Sequence, residues 1–578
     1  MPARGTRFVT RLHARFAGAG RGATGFVSQP EPRSIGHFAR GRQLVAGNFL
    51  FSGYLVEAKE TSIWDLPNPA LTFEEDLHGF AWLDDLVAVG DASARQCARD
   101  WTFEWVARFG RGQGPGWTPD LTGRRLIRWI NHALFILGAA DKPVSDRFFH
   151  TLARQTTFLS RRWSKTSPGL PRIEALTGLI YSGLSLTGMD HHVAPAMAAL
   201  GRECRAQIDG DGALASRNPE ELLEIFTLLN WSALALREGG RDPAPAHVEA
   251  IDRIAPVLRT LRHADGGLAR FHGGGRGLEG RLDQALATSG VKATVAGEAA
   301  MGYRRLSAAR TTVLIDAQIP PQGAGSFNAH ASTLAFELTS GRRPVIVNCG
   351  AGASFGEDWR RAGRATPSHS VLTLEGYSSS RLGEATLTSG RKRELLSDGP
   401  SEVLQERRNT EFAIRQQASH DGYRKTHGLV YVRTLELSHD GRTLAGEELL
   451  VALNDADKMR LDRAVDATQL QGVPAAVRFH LHPGVDAVHD MGGAAVSLAL
   501  KSGEIWVFRH DGKAQLSLEP SVYLEKGRLK PRGAEQIVLS VPVMGEQTRV
   551  RWSLAKAQET PLSIRDLKRD DPLEDELI

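Results

Sequence analysis

Three cysteines in 578 residues, Cys97, Cys204 and Cys349, are too few, too far apart and odd in number to staple a disulfide scaffold. They read as buried thiols. Long apolar runs are missing too. The run Ala133-Leu-Phe-Ile-Leu-Gly-Ala-Ala140 falls well short of the ~20 residues a membrane-crossing helix needs, so no transmembrane segment is expected. Residues 1–27 contain no acid, only the cations Arg4, Arg7, Arg11, Arg15 and Arg21. Among these, Phe8, Leu12 and Phe16 recur at four-residue spacing. This basic amphipathic pattern suits a membrane surface, a solvated arm or a helix lying on the domain. The apolar core of a secretory signal, ~7–15 residues, is absent as well, so no signal peptide is read there.

What is present is globular in composition, with 41% hydrophobic and 24% charged residues. Lys and Arg number 71 against 66 Asp and Glu, a net charge of +5 with a pI near 9.1. That excess suits an acidic partner. Nucleic acid is not the expected one: the basic residues are dispersed, and neither zinc-finger spacing nor an RNA-binding aromatic motif accompanies them. An anionic polysaccharide is served equally well.

Two hydrophobic periods divide the chain. From about Leu71 to Arg262 the pattern is helical. Leu126, Trp129/Ile130, Ala133/Leu134 and Leu137 are read as one face of a single helix, and Leu222, Leu223 and Phe226 continue the style. Eight of the 11 Trp lie in the first 231 residues, each better read as core than as a sugar-stacking platform. After about Gly302 the period becomes two, as in Leu334/Phe336/Leu338 and Val477/Phe479/Leu481, with turn signals at Asp421-Gly422, Asp440-Gly441 and Asp511-Gly512. The expected class is α+β and multidomain, a helical half followed by an antiparallel sandwich or barrel. The expected divisions are a basic arm and lead-in over 1–70, a helical domain over 71–300, a β domain over 301–556 and an acidic tail over 557–578.

Several clusters carry chemistry. In Asp209-Gly-Asp-Gly-Ala-Leu-Ala-Ser-Arg-Asn-Pro219, Asn218 stands as a helix N-cap, with Pro219 at the first helical position and Glu221 three residues after the cap. Alternatively, Arg217 and Asn218 face a cleft, where an Arg–amide pair holds a carboxylate. The glycine-rich stretch His263–Gly275 reads as an interdomain connection rather than a phosphate cradle. His330, Asn348 and His369 sit at strand ends, where two histidines and a third ligand would make a divalent-metal site such as zinc, although a strand-end His is more often a satisfied polar group. His480 and His482 share a strand face with Arg478 and read as outward polar residues. Tyr423, in a cluster with His427 and flanking cations, is an acid–base candidate.

The run Phe327-Asn-Ala-His-Ala-Ser-Thr-Leu-Ala-Phe-Glu-Leu338, with Val345-Ile-Val-Asn-Cys-Gly350, Ser368-His-Ser-Val-Leu-Thr-Leu-Glu375 and Val477-Arg-Phe-His-Leu-His-Pro483, resembles the heparinase II/III family of bacterial polysaccharide lyases. The resemblance covers nearly the whole chain. It implies an incomplete (α/α) toroid followed by an antiparallel β-sandwich, and β-elimination at a uronic acid in an acidic polysaccharide. In such a reaction a base removes the C5 proton while cations or amides stabilise the enolate. On that reading Arg217 and Asn218 neutralise the uronate, His330, His369 and Tyr423 are the acid–base candidates, and His330, Asn348 and His369 fall at the metal-ligand positions. Departures accompany the match. Where the family has His-x-His this chain has Asn328-Ala-His330, Asn348 replaces a metal-binding Asp, and Arg217-Asn218-Pro219 follows the Asp-Gly loop where the family carries a Tyr. Asn131-His132 has the letters of the toroid's Asn–His pair but falls early. The rival reading is a non-catalytic glycan-binding or cell-envelope protein that retains the lyase fold. A third, a hydrolase using Asp211 and Glu337, has nothing in the sequence that pairs them. The resemblance implies the cell envelope or periplasm; the lack of a signal leaves the cytoplasm as the alternative.

Overall fold

The computed structural model describes residues 4–19, 22–138, 140–292, 297–388, 391–526, 528 and 530–557. The expected acidic tail lies outside them except for Ala557. The chain divides into two compact units, one of Met1–Gly212, Glu221–Ala255 and Asp283–Lys292, the other of Ala213–Glu220, Pro256–Leu282 and Ala293–Ile578. The short segments 213–220 and 256–282 therefore group with the sandwich, although they lie within the helical stretch of the sequence.

The first unit is helix on helix. Asp91 caps the helix Ala92–Phe109 by accepting from the Ala94 N–H at 2.8 Å, and Asp141 caps Lys142–Arg162 through Val144. Helices Pro119–Asn131 and Leu170–Ser185 cross at two glycines, where a Cβ on Gly178 would stand 2.5 Å from the Gly123 Cα. No other residue permits that approach. The tryptophans form the core. Trp105 and Trp129 are fully buried with ring centroids 5.4 Å apart, and Trp129 stacks on Phe148. The lead-in also contains a hairpin, Asn48–Phe51 paired with Tyr54–Glu57, that the sequence reading did not anticipate.

One helical face is not continuous. The expected Leu126–Leu137 helix breaks at His132, whose backbone leaves helical geometry (φ −108°, ψ 19°) while its ring engages Asp84 at 2.7 Å. The helix ends at Asn131, and a separate turn runs Ala133–Leu137. The break swings Leu134 out of the predicted face to 79% exposure.

The second unit is a sandwich of antiparallel sheets. One sheet runs, edge to edge, Val403–Asn409, Ala413–Tyr423, Leu429–Ser438, Thr443–Val451, Gln547–Lys556, Ile505–His510, Ala495–Leu500 and Val485–Asp490. The other runs Gln515–Tyr523, Arg532–Val543, Val473–Leu481, Arg343–Val347, Phe336–Ser340, Thr311–Asp316, Tyr303–Ala308 and Ala299–Ala300, with Leu372–Leu374 also paired to Val473–Leu481. Between them Trp552 of the first sheet meets Phe336 (5.9 Å) and Phe479 (4.8 Å) of the second. All five residues of Phe336–Ser340 are buried, not alternate ones. The segment 256–282 covers the other face: His263 approaches Glu337 at 3.1 Å and Thr339 at 2.9 Å.

Candidate functional site

The polar centre of the second unit is built around Asp316, at the end of its strand. Arg217 Nη2 donates to its Oδ1, the Ser332 hydroxyl donates to its Oδ2 at 2.8 Å, and His272 Nε2 lies 3.3 Å from Oδ2. Burial alone would raise this carboxyl, but the Arg217 guanidinium and His272 draw it down to about 2. Arg217, His272, Met301 and Leu334, four of the eleven non-glycine residues with left-handed backbone among those described, converge here. Such backbone costs about 1–3 kcal/mol per residue and persists only where its surroundings over-determine it. At Arg217 (φ 51°) they do. Its guanidinium donates to the carbonyls of Met301, Gly302 and Ile319 as well as to Asp316, and its own carbonyl accepts from the Tyr303 hydroxyl. Gly302 is required beside it, since a Cβ there would stand 2.7 Å from Arg217 Nε.

Arg217 is thus buried and its donors are spent inside the protein; it does not face a cleft. Asn218 acts as the expected cap, its Oδ1 accepting from the Glu220 N–H at 3.0 Å.

His330 and His369 do come together. His272 links them to the Asp316 cluster, its Nδ1 accepting from the His330 N–H at 3.1 Å. His330 Nδ1 is 3.1 Å from His369 Nε2, and His369 Nδ1 is 2.9 Å from the Ala365 carbonyl. Burial, then the neighbouring imidazoles, push His330 well below its ordinary pKa; burial draws His369 down to about 4. Both rings are neutral near pH 7.

The third expected ligand is engaged elsewhere. Asn348 Oδ1 accepts from the Ser370 N–H at 3.0 Å, and its Nδ2 donates towards Glu337 at 3.3 Å. Asn348 is thus satisfied by its own partners, and among the described residues no group of three His, Cys, Asp or Glu is disposed to hold a metal ion.

Tyr423 is a buried structural phenol. Its hydroxyl donates to the Leu372 carbonyl at 3.2 Å, and burial raises its pKa, the reverse of what a base requires. His480, expected to face outward, is buried instead. Its Nε2 donates to the Pro367 carbonyl at 2.9 Å, and its Nδ1 accepts from the Ser521 hydroxyl at 2.8 Å. Glu337 is likewise consumed, by His263, the Arg270 N–H and Asn348. Cys204 and Cys349 are buried thiols as expected, while Cys97 is partly exposed.

The comparisons with known proteins agree with this architecture. Residues 293–553 match the family model described as Heparinase II/III-like, C-terminal. Over 555 residues the chain is 31% identical to FtsZ-localized protein C of Caulobacter vibrioides, covering 92% of this chain and 91% of that one. The chain belongs to the heparinase II/III family. Its fold is that of the family's solved lyases. A crystal structure of heparinase III matches with a TM-score of 0.65 at 12% identity, over 96% of this chain and 90% of that one. Heparan sulfate lyase HepC from Pedobacter heparinus matches with 0.55 at 14% identity, over 97% and 90%. The incomplete (α/α) toroid followed by a β-sandwich is therefore the architecture of this family member, and no helix among its described residues is long and apolar enough to cross a membrane.

Proposed function

We propose that this heparinase II/III family member works by binding at the cell envelope rather than by β-elimination, in the setting that the name of its Caulobacter relative describes, alongside FtsZ. The observation that carries this reading is the fate of Arg217. A uronate lyase must aim a cation or amide at the substrate carboxylate; here the guanidinium is spent on Asp316 and the backbone carbonyls of Met301, Gly302, Gln318 and Ile319. The burial of Tyr423 removes the phenol as well. Identity supports the same reading, at 31% to the FtsZ-localized protein against 12–14% to the lyases. An acidic glycan remains the ligand class that the fold and the basic composition suit.

The helix Arg4–Phe16 supports the envelope part. Phe8 (64% exposed) and Phe16 (66%) lie outward on one face with Arg11 and Arg15 beside it, while Ala14 is buried and Thr10 accepts from Arg162 at 2.8 Å. Aromatic rings flanked by arginines suit an anionic lipid surface.

The second reading, β-elimination, is favoured by one feature, the contacting neutral imidazoles of His330 and His369. The test measures the ultraviolet absorbance of unsaturated uronate with heparan sulfate, chondroitin, hyaluronan and alginate, beside the imaging of a fluorescent fusion together with FtsZ. The expected result is a flat trace and colocalisation. An absorbance rise lost in His330→Ala would establish the lyase instead.

A further inference from the structure

The helix Asp455–Ala467 belongs to the sandwich unit and has one face inward and one in solvent. Asn454 caps it by accepting from the Asp457 N–H at 2.9 Å, and Asp457, Leu461 and Val465 are its buried side. The opposite side carries Asp455, Met459 and Arg463, spaced i, i+4, i+8 and so forming a single ridge. Asp455 and Arg463 are exposed, and Met459 between them is 55% exposed. Ala456 and Asp462, beside Met459 on that face, are exposed too. The other cations of the helix are engaged: Lys458 pairs with Glu546 at 3.1 Å, and Arg460 with Asp457 at 3.1 Å. Asp455 comes no closer than 3.8 Å to that committed Lys458, and Arg463 meets no carboxylate in an ion pair among the described residues.

We propose that this ridge is a docking surface for a second copy of the chain, with two Asp455–Ala467 helices crossing antiparallel about a two-fold axis at Met459. Read backwards, the ridge is its own complement. An antiparallel pair centred on Met459 sets each residue opposite the one equally far on the other side of that centre. Met459 then meets Met459, Asp455 meets Arg463 of the second copy, Arg463 meets its Asp455, and Asp462 meets its Ala456. No like charges face each other at these positions. This is an isologous contact, in which one patch serves both sides. It selects a second copy over an unrelated segment of one charge sign, which would satisfy one end of the ridge and be repelled at the other. The methionines supply an adaptable apolar centre, and an Asp–Arg pair at each end can close through two parallel hydrogen bonds. A single helix crossing is a small interface, which places the association in the transient class. The inference goes beyond the function proposed above and depends on neither its glycan nor its lipid contact.

The experiment is sedimentation velocity of the full-length protein at low salt, from low to several hundred micromolar. It compares the wild type with Met459→Lys, Asp455→Arg, Arg463→Asp and the double variant Asp455→Arg/Arg463→Asp. The wild type is expected to show a concentration-dependent monomer–dimer equilibrium. Each single variant weakens it by about tenfold or more, the charge reversals because each sets like charges opposite at both ends of the crossing. The double variant, whose charges are complementary again, regains the wild-type constant. An equimolar mixture of the two charge-reversed single variants dimerises as well, since each is complementary to the other and not to itself. The thermal unfolding of all of them matches the wild type, because every substituted side chain is exposed. A wild type that stays monomeric throughout overturns the proposal. So does a dimer that the single variants leave intact, or one that neither the double variant nor the mixture restores.

Discussion

His330 Nδ1 and His369 Nε2 lie 3.1 Å apart, and the Ala365 carbonyl, 2.9 Å from His369 Nδ1, decides which of them carries the proton. A carbonyl only accepts, so His369 is protonated at Nδ1 and its Nε2 receives the proton of His330 Nδ1. The lone pair of the dyad is thereby left on His330 Nε2. Nitrogen-correlated NMR of histidine-labelled protein at neutral pH should show both rings neutral and both as the Nδ1–H tautomer. An imidazolium signal from either ring at pH 7 would contradict the assignment.

Asp316 holds the polar centre together. Asp316→Asn would leave the Arg217 guanidinium and His272 buried without their anion, at an expected cost of about 3–5 kcal/mol. Arg217→Lys should be comparably damaging, because one ammonium cannot reach four carbonyls and a carboxylate at once. Denaturant midpoints measure both. If either variant matches the wild type, the cluster is not the stabilising centre described.

Acid should unfold the protein earlier than carboxylate titration alone would. Burial holds His247, His369, His420 and His480 neutral, with pKa values drawn down to about 4. The unfolded chain takes up protons on these rings at about pH 6.5, the folded chain only near 4. The stability they contribute is therefore full above about pH 6.5 and is lost as pH falls towards 4, at about 3 kcal/mol per ring. Calorimetric melting temperatures should drop steeply over that window. His420→Phe, which gives up mainly the bond from the Gly422 N–H, should flatten the slope.

The exposed face of helix Arg4–Phe16 makes a separate prediction. Phe8→Glu/Phe16→Glu should abolish co-sedimentation with phosphatidylglycerol vesicles while leaving the melting temperature within a degree or so of wild type, since both rings are mostly exposed. Equal sedimentation of variant and wild type would remove the lipid contact from the proposed function.

Much of the fold was legible because it rests on local periodicity. The change from helical to alternating pattern falls where the sheets begin at Ala299, and the Asn218-Pro219 cap forms as its letters predict. The candidate site was only half legible. His330 and His369 were singled out as strand-end histidines, but Asp316, His272 and Tyr303 were missed. The Arg217–Asp316 contact spans 99 residues, and nothing near Asp316 distinguishes it from any acid at a strand end. Arg217 was assigned to a cleft, His480 to an outward face and Tyr423 to acid–base chemistry, whereas all three are buried, and burial of that kind leaves no local pattern. The break at His132 was hidden because the apolar letters on either side of it stay in phase.

The grouping of segments 213–220 and 256–282 with the sandwich has a practical consequence for anyone dissecting this protein. A single cut near residue 300 would hand Arg217, His263, Arg270 and His272 to a helical fragment that lacks Asp316 and Glu337, and leave Asp316 without Arg217 and His272 and Glu337 without His263 and the Arg270 N–H. The sandwich fragment would lack the segments 213–220 and 256–282 that group with it. The two architectures are folded from one interleaved ribbon, so binding partners are better mapped with point substitutions in the intact chain than with truncations.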